Sequence, residues 1–292
     1  CNQVWMGAIN REAKARGERV ALSAYFGNMT ISHGGGQLMH AYIRRGRPDL
    51  WAREARLLLA SGYGTWPNLL LTTFGPWLPS PWLKKIRRWT GRNAMGLEDF
   101  SSLRAEIAQD PNFRAHLASI GYDPDFGPMR SRAETLRYVI TRIDLLGNVA
   151  KGDVATYDLE TCDPTSDRRL LEFCLTAPDE VFLREGRPQW IYGKAFGERI
   201  PAQTLNSRNK GYQAADWLPR LRRVQSTIAG EVERAKASPS ARALIDLDDL
   251  SGLLEILPEG KPTPRQTNAL RLKALRGVAT ANFLRKLDAG NG

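Results

Sequence analysis

The chain has 292 residues, 42% hydrophobic and 25% charged, a balance that excludes wholesale disorder and collagen-like repeats. Lysine and arginine number 42 against 31 acidic residues, and the net charge of +11 favours anionic partners: nucleotides, phosphates, nucleic acid or an acidic membrane face. No apolar run is long enough to span a bilayer and no basic stretch precedes an apolar core, so the expected location is cytoplasmic, without a signal peptide.

Val4, Trp5, Ala8, Ile9 and Ala13 recur at helical spacing, and Gly17 supplies a stop signal. The segment from Arg19 to Tyr25 reads as a short buried strand, and the glycine-rich stretch Gly27 to Gly36 follows it. A strand running into such a loop, over 19–37, is the grammar of an α/β sheet with its site at the strand's carboxyl end. Helices are expected over Leu50 to Ala60 and Leu97 to Ala108. Between them, Trp66 to Leu83 holds Trp66, Trp77 and Trp82 with Pro67, Pro76, Pro79 and Pro81, and reads as an irregular apolar loop. The basic run from Lys84 to Trp89 reads as a solvated face, or, beside those tryptophans, as a peptide-docking or membrane-surface contact.

Ser131 and Glu134 form a capping-box pattern before a helix with Leu136, Val139, Ile140 and Ile143 on one face. Asp167 suits the N-cap of a helix over Arg168 to Leu175. Trp217, Leu221, Val224, Ile228 and Val232 predict an amphipathic helix over 216–236. Thr263, Pro264 and Gln266 make another helix start, and the terminal helix is expected to turn Leu275, Val278 and Leu287 inward. The fold class is therefore α/β but predominantly helical, with most of the parallel sheet expected upstream of Cys1.

Cys1, Cys162 and Cys174 lack CxxC spacing, which points to a reducing compartment and against a disulfide framework or zinc ribbon. His33, His40 and His116 lie too far apart in sequence to suggest a metal site. Beginning without Met inside a helical pattern, the chain reads as truncated at its N-terminus. The alternative, Cys1 as an N-terminal nucleophile of the class II glutaminase kind, wants a strand after it, whereas Cys1-Asn2-Gln3 leads into a helix.

Two segments carry a family likeness. Glu160-Thr161-Cys162-Asp163-Pro164-Thr165-Ser166-Asp167 follows the pattern Glu-x-Arg-x-Pro-Phe-x-Asp at Glu160, Pro164 and Asp167, with Cys162 in the arginine's place and Thr165 in the phenylalanine's. Arg208-Asn209-Lys210 follows the Ile200-Pro201 turn as an Arg-x-Lys, and Trp190 to Arg199 fits the helix between. Together these resemble the synthetase domain of the asparagine synthetase superfamily. The Asp-Pro-Thr-x-Asp-Arg-Arg variant looks most like the asparagine-synthase-related proteins that close lasso peptides. A fainter match lies at Ser23 to Asn28, where Gly27 fits a Ser/Thr-Gly-x-Gly-Gly-Asp-Glu turn but Asn28 replaces its aspartate. The family's ATP loop, Ser-Gly-Gly-x-Asp-Ser, does not occur in the sequence and would belong upstream. The whole chain, 1–292, is then the C-terminal part of one synthetase-like domain of the adenine-nucleotide α-hydrolase type.

The resemblance implies ATP and Mg2+. A carboxylate attacks the α-phosphate to give an acyl-adenylate and pyrophosphate, and an amine then displaces AMP. By the same likeness Lys210 offsets phosphate charge in transit, and Glu160 takes the proton of the incoming amine. Gly27 and Asn28 would meet nucleotide through backbone N–H groups, and Arg208 and Gln213 would hold phosphate or their own loop. Gly27, Glu160 and Lys210 are expected to converge at the strand's carboxyl end. The preferred product is the macrolactam of a precursor peptide, with a partner protease or leader-binding protein alongside; this chain alone is expected to be inactive. Asparagine synthesis from a small amino-acid substrate, an inactive scaffold and a basic nucleic-acid-binding helical module are the alternatives, the last without a recognisable motif.

Overall fold

In the computed structural model, residues 3–89, 96–141, 143–207 and 214–290 are described. They form two compact units, one of Trp5–Leu78 with Gly127–Gly211, the other of Cys1–Val4, Pro79–Phe126 and Tyr212–Gly292. The structure is predominantly helical with short strands, as expected for the fold class. Among the described residues no helix is long and apolar enough to cross a membrane.

The unit built on Trp5–Leu78 and Gly127–Gly211 holds the four strands found among the described residues. Strand β1, Val20–Leu22, pairs in parallel with β2, Glu160–Cys162, in the register Val20 with Glu160, Ala21 with Thr161 and Leu22 with Cys162. The expected buried strand over 19–25 is therefore shorter and more open. Ser23 makes the last rung, its N–H donating to the Cys162 carbonyl at 2.8 Å, after which the chain turns. Side chains alternate along a strand, so Val20 and Leu22 share one face, and both are exposed.

The helix Gln37–Arg44 packs on both Pro48–Ala60 and Trp66–Phe74, around Leu38, Met39, Leu58 and Leu69. A hairpin of β3, Leu183–Arg184, and β4, Arg187–Pro188, adds Leu183 to that core. Gly35 has φ +70°, and a Cβ there would lie 2.7 Å from the Leu183 backbone nitrogen. A glycine is what lets this turn touch the hairpin. The helix Ile143–Tyr157 packs against β2, and Arg132–Ile140 packs on Arg168–Thr176.

The expected apolar loop over 66–83 is instead helical. Pro67 lies in the first turn of Trp66–Phe74, Pro76 in the first turn of the 3-10 segment Gly75–Trp77, and Pro81 is second in the helix Ser80–Trp89. In a first turn the backbone N–H has no intrahelical partner, so a proline forfeits nothing there. The prolines start helices here rather than break them.

The other unit centres on Leu221, Val232, Ala235, Leu250, Ala274 and Ala281. Its longest helix, Trp217–Ala235, matches the expected amphipathic segment except that Val224 is exposed. The expected helix over 97–108 is broken into Leu97–Phe100 and Ala105–Gln109. Between them Leu103 forms a bridge with Ile245, supported by Asp246 N–H to the Ser102 carbonyl at 2.8 Å. Ser102 also donates its hydroxyl to the Lys273 carbonyl at 2.8 Å, in a π-helical segment Ala269–Ala274. A Cβ on Gly277 would collide with the Ser102 side chain, so the terminal helix Leu275–Asp288 needs glycine at this crossing. Leu275 and Val278 pack on the core of this unit, but Leu287 is exposed, and Ala281 and Leu284 take the inward positions.

Candidate functional site

The parallel pairing of β1 and β2 puts the turns that follow them side by side. After β1 comes a 3-10 turn, Gly27–Met29; after β2 comes Asp163 and a second 3-10 turn, Pro164–Ser166. Asp163 joins the two. One carboxylate oxygen accepts from Phe26 N–H at 3.0 Å, the other from Thr165 N–H at 2.8 Å and the Thr165 hydroxyl at 2.5 Å. Thr30 closes the junction, its hydroxyl lying 3.0 Å from the Thr165 carbonyl and 2.9 Å from that of Phe26. Burial pushes the Asp163 carboxyl up, but hydrogen bonds from Thr165, Phe26 and Tyr25 outweigh it and hold it below the usual carboxylate range. Burial and the nearby Asp153 and Asp163 push the Tyr25 phenol up.

Behind the first turn His33 accepts Gly35 N–H on Nδ1 at 2.9 Å and meets Phe182 edge-on. Burial, with the Arg132 charge, pushes its pKa down to about 4, so the ring is neutral with its proton on Nε2. Arg132 is almost wholly buried. It donates to the Cys174 and Ala177 carbonyls, pairs with Asp179 at 3.3 Å and lies over the Phe182 ring at 4.1 Å. Those carbonyls lie at the carboxyl end of Arg168–Thr176, where a helix leaves acceptors unpaired and favours positive charge. Asp167 caps the other end, its side chain accepting Arg169 N–H at 2.9 Å, as expected.

Of the residues singled out from sequence, Gly27 and Asn28 sit in the first turn, Gly27 buried and Asn28 exposed. The amides of Gly27, Met29 and Thr30 already donate to the carbonyls of Ala24 and Phe26. Those three amides are therefore not open to a phosphate, and the exposed Asn28 lies beside them. Glu160 is the first residue of β2, paired with Val20 and exposed, so it stands at the strands' amino end while Asp163 occupies the carboxyl end beside Gly27. Lys210, Arg208 and Gln213 lie outside the described residues. Among the described residues no group of three His, Cys, Asp or Glu side chains gathers as a cation site.

Sequence reading passed over Asp163 and Arg132. For Asp163 a local signal existed, because Asp-Pro-Thr is a turn in which the Asp side chain accepts backbone N–H groups just ahead. Its bond to Phe26, 137 residues away, has no local signature. A cavity of about 460 Å3 in the other unit, lined by Arg222, Gln225 and Leu254, is a crevice between helices, and Gln225 already donates to the Leu254 carbonyl.

A family model described as asparagine synthase matches residues 9–272. No curated protein and no solved structure gives a significant match to the chain.

Proposed function

The chain belongs to the asparagine synthase family, a family of ATP-dependent ligases, and from that premise we propose that it serves the closure of a peptide macrolactam. One observation in the fold carries the placement of the site: the Asp163 carboxylate ties the turn after β1 to the turn after β2. That junction brings the turn of the fainter match, Gly27 and Asn28, beside the residues that follow Glu160 in the stronger one. In the proposed reaction a side-chain carboxylate oxygen of the peptide attacks the α-phosphorus of ATP, and the bond to pyrophosphate breaks. The peptide's N-terminal amine then attacks the acyl carbon, the C–N bond forms, and AMP leaves with the acyl oxygen. An ammonium is not a nucleophile, so the amine must lose a proton, and Glu160 is the acceptor that the resemblance assigns. Lys210 is the assigned donor to the phosphate oxygens. In this reading Asn28 faces the ligand where relatives place an aspartate, a neutral side chain being suited to a substrate that brings its own carboxylates.

Asparagine synthesis is the second reading, favoured by the family match itself. A scaffold without chemistry is the third, favoured by Asn28 and Cys162 standing in place of charged residues. The experiment uses the full gene product carrying these residues, with ATP and two substrate sets. AMP release with a linear peptide bearing a free N-terminal amine and an internal Asp or Glu, giving a product one water lighter, is the expected result. AMP release only with free aspartate and an ammonia source would select asparagine synthesis. No AMP with either set would select the scaffold.

A further inference from the structure

The hairpin β3–β4 and the segments around it form a groove, whose narrower part also touches Gly34 and Gly36 at the end of the glycine-rich stretch. Its wider part, about 220 Å3, is lined by Tyr63, Arg187, Trp190, Tyr192, Lys194 and Thr204. Its narrower part, about 130 Å3, is lined by Leu58, Leu69 and Leu183, and the two parts share Tyr63 and Pro188. No Asp or Glu lines either part among the described residues.

Many basic residues of the chain sit in ion pairs, such as Arg45 with Glu180 or Lys84 with Asp125. Arg187 donates to the neutral Asn206 side chain at 3.0 Å, and Lys194 lies 5.5 Å from the Trp190 ring centre. Neither has an acidic partner among the described residues. Both are anchored by groups that leave their charge uncompensated, whereas Arg184, 5.0 Å from the same ring, has its own acid in Glu185 at 3.6 Å. A planar guanidinium held in place suits a carboxylate, which it meets with two parallel hydrogen bonds.

We propose that this groove binds an extended acidic peptide segment, an aliphatic side chain entering the Leu58–Leu69–Leu183 pit and a carboxylate a few residues on meeting Arg187 and Lys194. A ligand filling both parts needs an apolar group and an anion on one flexible chain, which a peptide supplies. Base stacking is disfavoured, since Trp190 already faces Arg184 and Lys194 and Tyr192 packs on Phe196 at 5.5 Å. That the bound segment is the ligase's own substrate rests on the macrolactam reading; the binding does not.

The test is fluorescence anisotropy on the full chain without ATP, using labelled Leu-Gly-Glu-Glu-Glu and its glutamine counterpart Leu-Gly-Gln-Gln-Gln. The glutamate peptide should bind at least about ten-fold more tightly, as charge-assisted bonds of this kind allow. Arg187→Gln combined with Lys194→Glu should remove that advantage. Lys194→Glu alone, at an exposed side chain, should remove most of it with the fold intact by circular dichroism. A control pair in the other unit, Lys261→Gln with Arg265→Gln, should leave it unchanged. Equal binding of the two peptides, or equal loss in the control pair, would overturn the proposal. With the full gene product and ATP, binding without product would leave the groove and remove the ligase reading, whereas ATP-dependent chemistry indifferent to the groove variants would do the reverse.

Discussion

At the scale of single residues, the candidate site depends most on Asp163. A carboxylate accepting several N–H and O–H donors is worth more than neutral hydrogen bonds would be, and losing it leaves those donors unpaired. Asp163→Ala should therefore free the turn after β1 from the turn after β2, at a cost of about 1–3 kcal/mol. Amide exchange at Phe26 and Thr165 should rise well beyond the rise elsewhere in the chain. Exchange at those two amides no faster than at Leu136 would contradict the role given to Asp163. Because hydrogen bonding holds its pKa below the usual range, Asp163 stabilises the fold above the ordinary carboxylate pKa, and that contribution is lost as pH falls through the depressed value. Cys162, next to it, shows the limit of a family pattern: it is exposed at the end of β2, and its thiol cannot form the ion pairs of an arginine.

Elements with purely local signals were legible in the sequence, and elements fixed by distant partners were not. Asp167 and Thr263 cap their helices as expected because a cap needs only a side-chain oxygen and an N–H two or three residues on. Ser131 accepts Glu134 N–H at 3.1 Å, but Glu134 turns to Arg130 N–H, so half of the expected box forms. The 66–74 helix is not legible from proline density alone, because the density does not say where in a helix each proline falls. The break after Phe100 was missed because its cause is Ile245, far away in sequence. Likewise β1 shows its alternation, but whether Val20 and Leu22 are covered is a tertiary fact. The packing of the turn around Gly35 against the 132–140 helix and Phe182 has a pH signature through His33. Its folded pKa of about 4 lies below the ordinary 6.5, so the unfolded chain binds more protons between those values. Stability should be fully present above pH 6.5 and should fall by up to about 3 kcal/mol as pH drops towards 4. Urea unfolding across that window measures it, and His33→Gln should flatten the decline. An equally steep decline in the variant would place the sensitivity elsewhere.

For the whole molecule, the +11 charge does not by itself imply a nucleic-acid partner, since many of its arginines and lysines pair with neighbouring carboxylates. Family membership was legible because Glu160, Pro164 and Asp167 keep their spacing, and the match extends over residues 9–272. The position of Glu160 at the strands' amino end, rather than beside Gly27, follows from the register of β1 with β2, which no spacing rule reveals. The resemblance, not the geometry, assigns the two halves of the proposed reaction to different groups: Lys210 to the adenylation step, Glu160 to the attack of the amine. The direct measurement is single-turnover formation of the acyl-adenylate by the full gene product, followed by its conversion to amide. Lys210→Ala should slow adenylate formation by about 10²-fold, and Glu160→Gln should leave that step intact while the adenylate accumulates. Adenylate formed at the wild-type rate in Lys210→Ala would contradict the account.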